Sequence, residues 1–148
     1  TVTFNDYDCN VTAVLPDSVT CVTSPRTSGI RPPSVVVSVE NAGRALIKDG
    51  TRWRYLDRWS LLETWASQEM PIDGDTVMVP PGQSLLLDQN TPSLLAVIVE
   101  GEFVWDDTKD LEMTATYIWV KGGTFEIGTE QRPFLHRALV TLTGYKYE

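Results

Sequence analysis

From residue 76 onward, short apolar runs return at a nearly even interval, and each leads to glycine. Thr76-Val77-Met78-Val79 runs to Gly82, Ala96-Val97-Ile98-Val99 to Gly101, Ile118-Trp119-Val120 to Gly122-Gly123, and Ala138-Leu139-Val140-Thr141-Leu142 to Gly144. The glycines fall 19, 21 and 22 positions apart. After the first three comes a second apolar burst: Leu85-Leu86-Leu87, Phe103-Val104-Trp105, then Phe125 and Ile127. A period of about 20 residues made of strand, glycine corner and strand suits successive coils of a β-helix, whose equivalent strands stack in parallel. Glycine fits the corner because it leaves room for the neighbouring coil. An antiparallel sandwich with glycine-bearing hairpin loops is the competing arrangement, and the even spacing favours coils. Few coils leave an exposed stacking end that something must cover.

The text before this repeat is strand-like in another way. Val2, Phe4, Cys9, Val11, Val19, Cys21, Val35, Val37 and Val39 alternate with polar residues, and Thr, Ser and Val dominate. Three or four short strands, broken by a Ser24–Pro33 loop with Pro25, Gly29, Pro32 and Pro33, read as half of a β-sandwich. The chain carries two cysteines, Cys9 and Cys21, each beside β-branched residues. They read as a bridge across a hairpin, which would restrict the unfolded chain by about 3 kcal/mol in the entropic account. Two buried free thiols are the plainer alternative. Asn10-Val11-Thr12 is an N-glycosylation sequon, so Asn10 is a candidate glycan acceptor. Bridge and sequon share one implication, an oxidising compartment outside the cytosol. Starting at Thr1 inside a strand-like run, the chain reads as a segment of something longer.

Charge narrows the partners. The net charge of −8 would repel a phosphate backbone, and Lys and Arg form no long run, which argues against nucleic acid. No apolar stretch approaches the roughly 20 residues of a spanning helix, so no membrane contact by this segment itself is expected. With 42% apolar and 22% charged residues, the chain has the composition of a packed protein. Arg44, Lys48, Arg52, Arg54 and Arg58, with Gly43 and Gly50, mark the connection between two modules. That strip would suit an acidic glycan, although a solvated linker is the plainer reading. Leu56 to Ala66, with Trp59, Leu62 and Trp65, fits a short amphipathic helix as well as an edge strand.

A resemblance to a known family rests on particular residues. Trp65, Pro71, Gly74-Asp75-Thr76-Val77, Leu85-Leu86-Leu87-Asp88, Gly101, Gly122-Gly123, Ile127-Gly128-Thr129-Glu130 with Pro133-Phe134, and Leu142-Thr143-Gly144 occur in the order of a G-eight domain. This region resembles that domain as found in fibrocystin, fibrocystin-like receptors and related hyaluronidases. Residues 1–45, with Cys9, Cys21 and the closing Asn41-Ala42-Gly43-Arg44-Ala45, resemble the C-terminal part of an immunoglobulin-like IPT/TIG module. The resemblance implies an all-β chain in two domains: 1–45 from the IPT/TIG module and 46–148 the β-helix-like G-eight domain, with 46–70 connecting them. It also implies a large ectodomain at the cell surface or secreted, with ciliary or flagellar membranes as one setting.

Glycan hydrolysis needs paired carboxylates flanking the bond, and Asp75 and Asp88 are the weak catalytic candidates. They sit where the hyaluronan-depolymerising relatives have implicated aspartates, but the upstream arginine of those relatives is replaced by Ser67. Asp beside glycine or at a strand end also satisfies backbone amides, which is the plainer role. Glu100, Glu102, Asp106, Asp107, Asp110 and Glu112 have the oxygens of a calcium site, but Glu100 and Glu102 share a strand face while the aspartates follow in a turn. No metal site is assigned. His136 is the sole histidine, so neither a triad nor a zinc centre is assembled, and Gly122-Gly123 lacks the Lys-Ser/Thr of a phosphate loop. No cofactor is implied. Trp53, Trp59, Trp65, Trp105 and Trp119 would stack on sugars or, more simply, fill the core.

The expectation is a non-catalytic structural or receptor module in adhesion, scaffolding or ligand display, with partners among the rest of its ectodomain, glycans or other extracellular proteins. A hyaluronidase-type domain and a carbohydrate-binding module are the alternatives.

Overall fold

The computed structural model describes residues 1–4, 7–24, 35–39, 43–45 and 55–144. It divides into two units, Thr1–Tyr55 and Leu56–Glu148. Among the described residues the chain is all-β, apart from one 3₁₀ turn at Leu62–Thr64. No helix among them is long and apolar enough to cross a membrane. Trp53, Lys48, Arg52 and Arg54 of the basic strip, the Pro25–Pro33 loop, and Asn41-Ala42 lie outside the described residues.

The first unit is an antiparallel sheet of β1 (Val2–Phe4), β2 (Tyr7–Val14), β3 (Val19–Thr23), β4 (Val35–Val39) and β5 (Gly43–Arg44), in the order β3-β2-β1-β4-β5. Alternation of β-branched and polar residues gives it two unlike faces. Val2, Cys9 and Val37 fall in one register row, and Val2 and Cys9 are buried. Asn10 sits opposite Val22 in the next row, on the other face. A bulge between Val11 and Ala13 shifts the β2–β3 register before the turn, where the Leu15 amide bonds the Ser18 carbonyl at 2.8 Å. Cys9 and Cys21 form a disulfide across β2 and β3, with Cα atoms 5.5 Å apart.

The second unit pairs only in parallel. β6 (Asp57–Arg58), β8 (Ser84–Leu87), β10 (Glu102–Trp105) and β12 (Thr124–Glu126) form one sheet, while β7 (Thr76–Val79), β9 (Ser93–Val99), β11 (Leu111–Val120) and β13 (Ala138–Leu142) form the other. Consecutive strands alternate between the sheets, and each sheet grows in chain order. The two sets of apolar bursts in the sequence are therefore the two sheets. Ser84 pairs with Glu102 and Glu102 with Thr124, while Thr76 pairs with Ala96 and Ala96 with Tyr117.

Inward residues repeat along each ladder because strand side chains alternate. Leu85, Phe103 and Phe125 are register partners, and the two phenyl rings stack at 5.3 Å. Val77, Val97 and Ile118 form the matching row in the second sheet. Each fully buried side chain of this kind contributes roughly 1.5 to 3 kcal/mol. At the corners the backbones approach so closely that only glycine fits. A Cβ on Gly101 would collide with the carbonyl oxygens of Pro80 and Gln83, and one on Gly123 would meet the carbonyls of Gly101 and Val99.

Two expectations need correction. The segment 56–66 is neither a helix nor a plain strand: two strand residues lead into the 3₁₀ turn, and Trp59 is fully buried with Trp65 edge-on at 4.9 Å. Trp59, Trp65 and Met70 thus pack with the second unit's core and do not merely connect. The even glycine spacing also misplaces the last repeat. Ala138 pairs with Leu111, not with Ile118, and Gly144 lies near the Thr116 carbonyl, not over Gly122.

Candidate functional site

The two candidate carboxylates stand on different sheets and serve different turns. Asp88 follows β8 and is buried; its Oδ1 accepts the Ser60 amide at 2.9 Å and its Oδ2 the Ser60 hydroxyl at 2.6 Å. This pins the segment after β6 to the end of β8, beside the Trp59 amide that donates to the Leu86 carbonyl. Asp75 precedes β7, and its Oδ2 accepts the Ile72 amide at 2.9 Å, reciprocating the Asp75 amide that donates to the Ile72 carbonyl across the turn at Gly74. Ser67 is exposed and bonds locally with Glu69 at 3.4 Å. Both aspartates therefore satisfy backbone donors, the structural role that their places in the sequence admit.

The acidic residues are engaged one by one rather than converging. Glu100 pairs with Lys121 at 2.8 Å, Glu102 accepts from Ser84 Oγ at 2.6 Å, and Glu112 meets Arg137 at 3.1 Å. Glu100 lies in the corner before β10, outside any strand, so the expected shared face with Glu102 is absent. Among the described residues no three His, Cys, Asp or Glu side chains converge as a metal site.

A row of side-chain acceptors escaped the sequence reading. Asp73 Oδ1 accepts the Ser93 amide at 2.7 Å, Asn90 Oδ1 the Glu112 amide at 2.9 Å, and Asp110 Oδ1 the Arg137 amide at 2.9 Å. Each lies just before a strand of the second sheet and clasps the start of the next strand in that sheet or the residue before it. The recurrence of Asp or Asn at that place was the available signal. Asp107 adds a fourth clasp: its Oδ1 accepts the amides of Leu135 at 2.8 Å and His136 at 3.1 Å, and lies 3.1 Å from His136 Nδ1. Desolvation pushes the Asp107 carboxyl up, but the His136 ring bond, the two amides and the ring's charge together outweigh it and hold the carboxyl below its ordinary range.

The tryptophans separate by position. Trp59 and Trp105 are buried, Trp65 is half-buried, and Trp119 is 57% exposed on the outward face of β11. Tyr117, two residues earlier on the same face, is 63% exposed. Met78, Ile98 and Trp119 form one outward register row, and Lys121 lies 5.4 Å from the Trp119 ring centroid. Asn10 is exposed in mid-strand.

The sequence profile of the G8 domain matches residues 64–148. Human fibrocystin-L is 34% identical over 146 residues, covering 97% of this chain and 3% of that protein. Mouse fibrocystin-L is 36% identical over 129 residues, and dog fibrocystin 40% identical over 89, covering 86% and 59% of this chain. The chain spans about 3% of the length of the fibrocystin-L relatives it matches. No solved structure matches it.

Proposed function

The chain belongs to the G8 domain family and to the fibrocystin-like proteins, and on that premise we propose that it is a non-catalytic extracellular module of a large cell-surface protein, acting in adhesion, scaffolding or ligand display. Its second unit is read as a short β-helix, each coil contributing one strand to each sheet. Its first unit is read as the C-terminal layer of an immunoglobulin-like IPT/TIG module, whose apolar face awaits a second sheet. The Cys9–Cys21 bridge supports an oxidising compartment. A ciliary membrane is one setting for such an ectodomain.

The observation that carries the non-catalytic reading is the engagement of Asp75 and Asp88 by donors in separate turns, beside strands of different sheets. A hydrolase needs an acid and a base facing one glycosidic bond. Incubating the intact ectodomain with hyaluronan is expected to leave the polymer's size unchanged. Depolymerisation that is lost in Asp75→Asn or Asp88→Asn would establish the hyaluronidase-type alternative instead.

Carbohydrate binding without cleavage is a second reading, favoured by one observation: Tyr117 and Trp119, two residues apart on one strand, are both exposed. Aromatic faces of this kind pack against the apolar faces of sugars. A glycan array probed with the ectodomain would then show binding that Trp119→Ala weakens at least tenfold. Equal binding by the variant would remove this reading.

A further inference from the structure

The face opposite Cys9 raises a question that the family does not answer. Among the described residues β3 is the edge strand of the first unit's sheet, with no strand paired on its outer side. Its Val22 is 62% exposed and stands directly opposite Asn10 of β2. Around them the same face is mostly polar: Asp8, Asn10 and Thr20 are exposed, Thr3 and Ser38 are half-buried, and Val36, half-buried opposite Thr3, is the other apolar residue described there. An open edge bearing an uncovered valine is a template for pairing with another chain. Natural edges carry something that prevents it.

We propose that Asn10 is N-glycosylated and that its glycan lies over Val22, shielding the β3 edge and keeping this face of the sheet in solvent. The proposal rests on the extracellular reading above. Three independent features support it. Asn10-Val11-Thr12 has the acceptor amide and the hydroxyl two residues on that the modification requires. The Asn10 side chain is exposed in the folded strand, so a bulky branched sugar is accommodated without disturbing a core. Directly opposed residues on one face stand about 5 Å apart at Cβ, so the first sugars on Asn10 reach Val22.

The chemistry is a single substitution. Asn10 Nδ2 forms a bond to the anomeric carbon of an oligosaccharide carried on a lipid pyrophosphate. The anomeric carbon–oxygen bond breaks, the lipid pyrophosphate departs with that electron pair, and the amide gives one proton to the transferase's base. Transfer precedes folding, because in the sheet the Asn10 backbone is paired with β3. The glycan also decides which face is available to a neighbour. It bars docking on the Asn10 face and leaves the Val2, Cys9 and Val37 face for a second layer.

The test uses the full-length protein expressed in a secretory eukaryotic cell line. Surface labelling of intact cells first establishes whether the module is outside the cell. Enzymatic removal of N-glycans is expected to convert Asn10 to Asp in the peptide spanning the sequon. Asn10→Gln and Thr12→Ala are expected to abolish that conversion, while Thr12→Ser retains it. Asn10→Gln is further expected to raise the aggregated fraction of the surface-labelled protein several-fold, and adding Val22→Thr to bring it back to the wild-type level. A surface-exposed protein with Asn10 unmodified overturns this proposal and leaves the extracellular reading intact. A protein that surface labelling never reaches overturns both. Glycosylated wild type with no rise in aggregation for Asn10→Gln overturns the shielding role.

Discussion

At the scale of single residues, close approach of backbones governs the second unit more than side-chain chemistry does. Gly101 sits against the carbonyl oxygens of the preceding corner. Gly101→Ala is therefore expected to destabilise the unit by about 2 kcal/mol or more, because backbone rather than a flexible side chain must move. A shifted denaturant midpoint with an unchanged slope would register it, and an unaltered midpoint would refute the corner packing. The sequence displayed this glycine plainly through its spacing. It displayed the inward residues as well, since Val77, Val79, Leu85, Leu87, Phe103 and Trp105 are all buried members of the apolar bursts. It did not display what Asp73, Asn90, Asp107 and Asp110 do. Such a side chain before a strand looks the same whether it faces water or clasps an amide 20 to 29 residues away.

At the scale of elements, the position of β13 shows why equal spacing was an incomplete guide. β11 is ten residues long and offers two places where a five-residue strand can pair. The clasps choose between them: Asp110 holds Arg137, and Asp107 holds Leu135 and His136, so β13 is delivered to Leu111–Ala115. Along β11 the inward residues are Leu111, Met113 and Ala115 and then, after a change of parity, Ile118, so the apolar pattern admits either place. Polar contacts between loops settle the remainder. Because the folded Asp107 carboxyl titrates below its unfolded value of 3.8, its contribution is complete above that value and is lost as pH falls through the lower folded one. The amide proton shifts of Leu135 and His136 are expected to titrate with a midpoint below 3.8. In Asp107→Asn they start displaced and show no such titration. A midpoint at ordinary carboxylate pH in the unaltered protein would count against the clasp. The segment 56–66 was ambiguous for a related reason: Trp59 and Trp65 satisfy helical spacing, yet their rings cap the end of a stack instead.

At the scale of the whole molecule, two units of opposite pairing sense meet in one chain. The first is antiparallel and stapled; the second is parallel and carries no cysteine. Reduction of Cys9–Cys21 is expected to weaken the first unit by about 3 kcal/mol and to leave the unfolding of the second unmoved. Monitoring Trp119 for the second unit and hairpin amides for the first would separate the two transitions. A joint shift would mean that they unfold as one body. The parallel unit also has an implication for biosynthesis. Each strand from β8 onward bonds to one laid down 18 to 28 residues before it, so no layer is stable until its predecessor is in place. Such a body is built like courses of masonry, from the ribosome's first-delivered end upward, and an error in a low course denies every later one its footing.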